Sequence, residues 1–304
     1  MSDYKHGVSS ARLPAWLRRP IAQSGKANAV RGLLEELDLK TVCQSAKCPN
    51  RSECFSAGTA TFLIMGDACT RGCRFCAVET RQPVQLDAGE PQRVAIAASR
   101  MDLRHVVITS VTRDDIEDGG ATHFVATIEA VRAAVPGVAI EVLTSDFGGR
   151  EASVDAVAAA LPDVYNHNLE TVPRLYADVR PGAVYERSLR VLERVGEMQH
   201  DVPTKSGVML GLGETPDEVR EVMHDLLAHG VSMLTLGQYL RPSAAHLPVA
   251  EFVDPSVFAQ LSRDAYAMGF SAVASAPFVR SSYHAHELAD EALGSESEDR
   301  APRS

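Results

Sequence analysis

The sequence predicts an α/β protein, a partial (β/α)6 TIM-type barrel with an N-terminal arm and a C-terminal extension. Short β-branched runs alternate with longer amphipathic stretches at roughly thirty-residue spacing, which is typical of parallel strands joined by right-handed crossovers. Six such runs occur, whereas a closed barrel has eight strands. The count favours a partial barrel, and the periodicity alone leaves an open, doubly wound sheet as the alternative.

Each predicted element has a local reason. The predicted strands are runs rich in Val, Ile, Leu and Thr, at residues 61–65, 105–110, 139–144, 164–169, 206–210 and 233–239. The predicted helices are the amphipathic stretches at residues 120–135, 151–161, 185–198, 216–229 and 255–268. Thr215, Pro216 and Glu218 form a capping-box pattern with proline at the first helical position. Gly230 and Gly269 lie where two helices should end.

The chain divides into four predicted parts. Residues 1–58 form an arm, which contains Trp16 and a helical pattern over residues 27–37. Residues 59–270 form the barrel, and residues 271–286 form a C-terminal segment. Residues 287–304 carry six acidic residues and little to bury, so we expect a disordered tail there.

Polar segments follow most of the predicted strands. They are residues 110–115, 145–146, 166–170, 211–214 and 238–241. Because the carboxyl ends of parallel strands share one edge of a sheet, we expect these segments to line one mouth of the barrel.

Charge and hydropathy exclude two classes of partner. The formal net charge is -10, and phosphate binding needs clustered Lys and Arg, so we expect no nucleic-acid partner. The basic stretch of Arg18, Arg19, Lys26 and Arg31 is short, and a solvated arm explains it better. No run approaches the roughly 20 apolar residues that span a membrane. We therefore expect a soluble protein without a membrane partner.

All six cysteines lie between Cys43 and Cys76. Cysteines placed for packing scatter along a chain, whereas metal ligands must converge. A disulfide framework is typical of small secreted chains, and this chain is far larger. Residues 1–10 also lack the apolar stretch of a signal peptide. We therefore expect reduced thiols and a cytoplasmic location.

The second triplet, Cys69, Cys73 and Cys76, has the spacing C-x3-C-x2-C and directly follows the first predicted strand. Zinc is the simpler alternative, but a structural zinc site takes four ligands and this loop offers three. Three thiolates on one loop suit a cubane iron–sulfur cluster, with one iron left open. The spacing favours the cluster.

The first triplet, Cys43, Cys48 and Cys54, has the spacing C-x4-C-x5-C and precedes the barrel. A second four-iron cluster here would lack a fourth thiolate, so it needs another ligand from elsewhere. His, Asp, Glu, Ser or Tyr could supply it, and an oxygen ligand would hold its iron more weakly than a thiolate.

The C-x3-C-x2-C signature, with Phe75 before its last cysteine, resembles the radical S-adenosylmethionine superfamily. Together with the first triplet and the Arg-Ser-Ser-Tyr-His-Ala motif at residues 280–285, it closely resembles the lipoyl synthase family. Further matches lie at residues 14–18, 48–51, 113–115, 118–120, 166–171, 205–214 and 238–242. The resemblance covers nearly the whole chain except the acidic tail.

The resemblance implies two [4Fe-4S] clusters and S-adenosyl-L-methionine. Cys69, Cys73 and Cys76 would hold the cluster that binds S-adenosylmethionine. The auxiliary cluster would be held by the first triplet and a serine, which we assign to Ser282 with Ser281 as the fallback. That contact would fold the C-terminal segment back onto the arm.

The resemblance also implies the reaction and its partners. The enzyme would be a sulfurtransferase of lipoate biosynthesis that inserts sulfur at C6 and C8 of a protein-bound octanoyl-lysine, with the auxiliary cluster as sulfur donor. Its partners would be octanoylated lipoyl carrier domains of 2-oxoacid dehydrogenase complexes and the glycine cleavage H protein. An electron donor of the ferredoxin or flavodoxin type would reduce it.

Five further residues are candidates for binding cofactor or substrate: Arg113, Asn168, Glu170, Lys205 and Arg241. Each has a structural alternative. Asn168 and Glu170 could cap a turn, Arg113 could order its loop, and the other two could be solvated. Met209 is predicted to be core.

Two other functions compete with the sulfurtransferase. A biotin synthase or methylthiotransferase would share the radical cofactor but not the first triplet or the motif at residues 280–285. An iron–sulfur scaffold or redox-partner protein would bind clusters without catalysis.

Overall fold

The structure is a computed structural model that describes residues 13–18, 25–45, 48, 50–56, 60–198, 202–282 and 285–293. Residue 19 of the basic stretch, residues 283–284 of the motif at 280–285 and residues 294–304 of the predicted tail lie outside these ranges. Within them, no helix is long and apolar enough to cross a membrane.

The strands and helices alternate through most of the chain. The strands are β1 (Lys40–Thr41), β2 (Thr61–Ile64), β3 (Ala68–Cys69), β4 (Glu79–Thr80), β5 (His105–Ser110), β6 (Ala139–Leu143), β7 (Val164–Asn166), β8 (Thr204–Leu210), β9 (Met233–Gln238) and β10 (Ala272–Ser275). The helices are α1 (Gly25–Glu36), α2 (Val42–Ser45), α3 (Arg51–Ser56), α4 (Glu90–Arg100), α5 (Ala121–Ala134), α6 (Glu151–Ala159), α7 (Tyr176–Val179), α8 (Tyr185–Glu197), α9 (Pro216–Ala228), α10 (Pro255–Met268) and α11 (Ala285–Leu293).

Eight strands form one sheet in the order β1-β2-β5-β6-β7-β8-β9-β10. Every neighbouring pair from β2 to β10 is parallel, and only β1 pairs antiparallel. Six β/α units follow one another from β2 to α10, and β1 and β10 form the two edges of the sheet. The predicted partial barrel is confirmed.

The structure adds elements to the prediction. Strand β10 continues the sheet past the predicted barrel boundary at residue 270, and α4 lies between the first two predicted strands. Both were missed because their local signals are weak. β10 has only four residues, and the buried face of α4 consists largely of alanines.

The sheet is covered on both faces, which explains its continuous apolar runs. All four residues of β2 are buried, and Phe62 and Ile64 have no exposed surface. Phe124, Ile128 and Val131 of α5 pack into the same core. Burying one such side chain stabilises the fold by about 2 kcal/mol.

Helix α11 packs on the barrel with Leu288 and Ala289. Both are buried against Val164, Met233 and Ala272, the first residues of β7, β9 and β10. The prediction of disorder over residues 287–304 is therefore wrong for residues 287–293. The acidic residues dominate the composition, but they leave one apolar helical face.

Candidate active site

A cavity of about 470 Å³ lies at the carboxyl ends of the strands. Thr109, Leu143, Met209 and Gln238 line it from β5, β6, β8 and β9. Residues from four of the five predicted polar segments also line it. The exception is residues 211–214, where the Glu214 carboxylate accepts from two backbone amides and closes its own turn. We call this space the large cavity.

Both cysteine triplets reach the large cavity. The thiols that line it are Cys43, Cys48, Cys69, Cys73 and Cys76. Cys69 ends β3, which pairs with β4, so the two short strands bracket the loop over residues 69–76, here called the cysteine loop. Its backbone is tied to the barrel because Thr70 N donates to Thr112 O (3.1 Å) and Arg74 N donates to Val179 O (2.9 Å).

Arg71 anchors the cysteine loop to two strand ends. Its Nε and Nη2 donate to the two Asp114 carboxylate oxygens, each over 2.7 Å. Its Nη1 lies 2.7 Å from Asp146 Oδ1. Asp146 also accepts from Arg187 Nε over 2.7 Å. Burial would raise the Asp146 pKa, but Arg71 and other donors hold it below its usual range, so Asp146 stays ionised between two guanidinium groups. We call this set the arginine clamp.

Burial raises the pKa of three thiols, Cys43, Cys73 and Cys76. It raises the pKa of Cys76 to about 12 and, together with neighbouring Cys48, that of Cys43 to about 11. These three thiols stay protonated at neutral pH unless a cation offsets the cost of burying their charge, and a coordinated metal does so. Within the described ranges, no three His, Cys, Asp or Glu side chains converge closely enough to hold a single metal ion. The thiols instead line the cavity walls.

A smaller cavity of about 40 Å³ adjoins the arm. Its lining comprises Cys43, Cys48, Asn50, Cys54, Ala60, Thr61, Arg280 and Ser282. The first triplet and one serine of the motif at residues 280–285 therefore face one space, called here the small cavity. Three protein thiols and one hydroxyl are a donor set that suits an iron–sulfur cluster.

The C-terminal segment folds back onto the arm at the small cavity. Asn50 Nδ2 donates to Phe278 O over 2.7 Å, and Thr61 Oγ1 donates to Ser282 Oγ over 2.8 Å. Glycine at 237 permits this path, because a Cβ there would overlap the Val279 carbonyl.

Ser281 has different surroundings from Ser282. It lines the large cavity but not the small one. Its Oγ accepts from Asn168 Nδ2 over 2.6 Å. Ser282 lines both cavities, so of the two candidate ligands only Ser282 reaches the small cavity.

Three polar side chains of the large cavity could still form hydrogen bonds or ion pairs with a ligand. Among the described residues, the buried atoms Asn168 Oδ1 and Arg180 Nε find no hydrogen-bond partner. Burial raises the pKa of the Glu170 carboxyl, although Arg180 and Asn168 oppose the rise. Glu170 also has a φ of 68°, a left-handed conformation that is uncommon for a non-glycine residue. Together these groups suit a ligand that carries ammonium and carboxylate charges.

The five weaker candidates separate into two groups. Asn168, Glu170 and Arg241 line the large cavity. Arg113 does not, and it pairs with Asp115 over 2.8 Å while donating to Val84 O over 3.0 Å, so it orders its loop. Lys205 is fully buried, and its Nζ lies 2.9 Å from Glu141 Oε1 inside the barrel.

Sequence reasoning missed several cavity residues. Arg71 and Arg180 carry no motif of their own, because their partners are brought to them only by the fold. Met209, predicted to be core, lines the large cavity. Its position near the end of a strand was the one available signal.

Comparisons with known proteins agree with the geometry. The family model of the radical SAM superfamily matches residues 63–226. The lipoyl synthase of Methylobacillus flagellatus is 53% identical over 286 residues, 94% of this chain and 88% of that protein. The lipoyl synthase of Syntrophotalea carbinolica is 54% identical over 92% of this chain and 91% of its own.

Solved structures share the architecture at low identity. The [FeFe]-hydrogenase maturase HydG matches with a TM-score of 0.55 and 15% identity, over 81% of this chain and 65% of its own. SuiB of Streptococcus suis bound to S-adenosylmethionine matches with a TM-score of 0.52 and 12% identity, over 72% and 51%. These likenesses support the fold alone.

Proposed function

This chain belongs to the lipoyl synthase family of radical S-adenosylmethionine enzymes, and from that premise we propose which residues hold each reacting group. The family reaction is a sulfur transfer to C6 and C8 of a protein-bound octanoyl-lysine, with sulfur donated by the auxiliary [4Fe-4S] cluster. Its cofactors are [4Fe-4S] clusters and S-adenosyl-L-methionine.

Cys69, Cys73 and Cys76 would hold the cluster that binds S-adenosylmethionine. That cluster and its cofactor supply the radical that removes hydrogen from the octanoyl chain. The proposal is supported by the position of the three thiols beside unpartnered polar groups in the large cavity. The arginine clamp would fix the loop, and the cavity walls would keep water from the reacting carbon.

Asn168, Glu170 and Arg180 would orient the cofactor. The half-buried Arg180 cation and Glu170 carboxylate both line the large cavity, where they can pair with the carboxylate and ammonium groups of an amino-acid moiety. Arg241 is a further candidate on the same wall. The proposal leaves out Arg113 and Lys205, since both have structural partners away from the cavity.

Cys43, Cys48, Cys54 and Ser282 would hold the auxiliary cluster. The observation that carries this proposal is that all four line the small cavity, whereas Ser281 does not. A serine oxygen holds iron less firmly than a thiolate. Such a cluster suits a substrate that is dismantled as it gives up sulfur.

The carrier of the octanoyl group is the protein partner. Lipoyl-carrier proteins follow from the family, and we propose the carrier domains of 2-oxoacid dehydrogenase complexes and the glycine cleavage H protein. A ferredoxin or flavodoxin would donate electrons. We propose a cytoplasmic location, where thiols stay reduced and can bind metal.

An anaerobic turnover tests the function. The protein is given a reductant, S-adenosylmethionine and an octanoylated carrier peptide, and the peptide is weighed by mass spectrometry. We expect a mass gain of two sulfurs. Cofactor cleavage without that gain would refute the assignment, and an iron-free preparation that contains zinc would refute the radical chemistry itself.

A further inference from the structure

Thr61, the first residue of β2, contacts two of the four proposed ligands of the auxiliary cluster. Its side chain is buried and lines the small cavity. Its hydroxyl donates to Ser282 Oγ over 2.8 Å. Its backbone and hydroxyl also lie within hydrogen-bonding range of the Cys43 thiol. Thr61 therefore joins a ligand of the arm to a ligand of the C-terminal segment.

The Thr61 hydroxyl has one proton, so it serves one strong acceptor at a time. The backbone amide of Thr61 can satisfy Cys43, which leaves the hydroxyl for Ser282. A serine oxygen that binds iron still has a lone pair that can accept a hydrogen bond. The Thr61 hydroxyl, 2.8 Å away, can therefore fix the position of the Ser282 oxygen.

We propose that Thr61 is a positioning residue that holds the Ser282 oxygen on the auxiliary cluster. Strand β2 fixes Thr61 in turn, because Thr61 pairs with Val107 of β5 in the sheet. The inference depends on the proposed ligation by Ser282. We therefore expect the hydroxyl of Thr61, and not the size of its side chain, to slow the loss of the iron that Ser282 would bind.

Two substitutions separate the hydroxyl from the bulk. Thr61→Val keeps the shape and removes the donor, and Thr61→Ser keeps the donor. The reconstituted proteins are exposed to an iron chelator, with S-adenosylmethionine present to protect the open iron of the other cluster. We expect Thr61→Val to lose the fourth auxiliary iron about tenfold faster than the wild type and to develop the EPR signal of a three-iron cluster. Thr61→Ser should keep the wild-type rate.

Thr127→Val is the matched control, because Thr127 is fully buried and its hydroxyl donates to His123 O over 2.7 Å, in helix α5. We expect the wild-type rate for it. Thr61→Val with an unchanged or slower rate would overturn the inference, and so would an equal acceleration in Thr127→Val. If Ser282→Ala retains the fourth iron, the assignment of Ser282 as a ligand is wrong. If Ser282→Ala loses that iron quickly and Thr61→Val loses it at the wild-type rate, Ser282 is a ligand but Thr61 does not position it.

Discussion

Ser281 and Ser282 are adjacent in the chain and both line the large cavity, yet only Ser282 also lines the small cavity. Ser281 accepts a hydrogen bond from Asn168, and Ser282 accepts one from Thr61. Both serines lie in a turn, which points their side chains in different directions. The backbone path therefore decides which of two identical hydroxyls reaches the first cysteine triplet.

Ser282→Ala should spare cleavage of S-adenosylmethionine and weaken sulfur insertion, because the two clusters have separate ligands. We expect sulfur insertion to fall at least about tenfold, measured by mass spectrometry of the octanoylated peptide, with 5'-deoxyadenosine still formed. Ser281→Ala is the matched control and should retain sulfur insertion. The reverse result would move the ligand to Ser281.

His167 should make the fold sensitive to acid. It is fully buried, and burial lowers its pKa from 6.5 to about 4, with the Arg180 cation as the next cause. Between pH 6.5 and pH 4, His167 is therefore protonated in the unfolded chain but neutral in the folded chain. The stability of the fold falls as the pH falls through that window.

The urea midpoint measures this effect. Between pH 7 and pH 5, the free energy of unfolding of the wild-type protein should fall by about 2 kcal/mol. His167→Gln should not show this fall. His224→Gln, at a histidine on the outer helix α9, is the control and should behave as the wild type. Equal losses in the wild type and His167→Gln would show that another group causes the acid sensitivity.

At the scale of elements, the cysteine loop is held by its neighbours rather than by its own secondary structure. Residues 70–78 form no helix, and the arginine clamp joins them to the ends of β5 and β6 through Asp114 and Asp146. A planar guanidinium bonded to two carboxylates restrains both position and orientation. The clamp should therefore set the spacing of the three thiols.

Arg71→Met should selectively impair the cluster on the cysteine loop. It removes two hydrogen bonds and an ion pair, and it leaves Asp114 and Asp146 without their shared cation. We expect iron content to fall from about eight toward about four per chain, with loss of the spectroscopic change caused by S-adenosylmethionine. Arg71→Lys should have an iron content between those of the wild type and Arg71→Met, because an ammonium cannot bind a carboxylate in the same bidentate way.

Arg190→Met is the control for the clamp, since Arg190 pairs with Glu151, Glu193 and Glu197 on the outer surface. We expect wild-type iron content for it. Full iron content in Arg71→Met would show that the loop holds its cluster without the clamp.

At the scale of the whole molecule, the C-terminal segment runs from one end of the barrel to the other. Residue 279 lies over Gly237 near the end of β9, while Leu288 of α11 packs near Met233 at its start. These two points of β9 are about 13 Å apart, at about 3.3 Å per residue. Helix α11 thus anchors the segment that carries Ser282.

Leu288→Asp should detach this anchor, because it places a charge in an apolar contact. We expect the auxiliary cluster to be lost more readily than the cluster on the cysteine loop, as followed by iron analysis and EPR. Asp290→Ala, at an exposed residue of the same helix, should have no effect. Equal loss of both clusters would point to general unfolding.

Local pattern predicted most of the fold and the thiol part of the site. Strands β2 and β5 to β9 were recognisable because a buried parallel strand is continuously apolar. Strand β10 was too short to recognise, and α11 was hidden by its acidic composition. Spacing alone predicts that the cysteines are ligands, since six thiols within 34 positions (43 to 76) favour metal binding over packing.

The rest of the site depends on contacts between distant residues. Arg71 becomes a clamp only because β5 brings Asp114 to it, 43 residues along the chain. Thr61 has no pattern that indicates a role, and its partner Ser282 is 221 residues away. Such pairings follow from the packed barrel, so local periodicity cannot predict them.

The small cavity also has a consequence for biosynthesis. The three thiols are synthesised before the barrel, and Ser282 is synthesised after it. At about 5–20 residues per second, the interval between Cys54 and Ser282 lasts some tens of seconds. With Ser282 as the proposed fourth ligand, the auxiliary cluster can be completed only after the barrel has been synthesised.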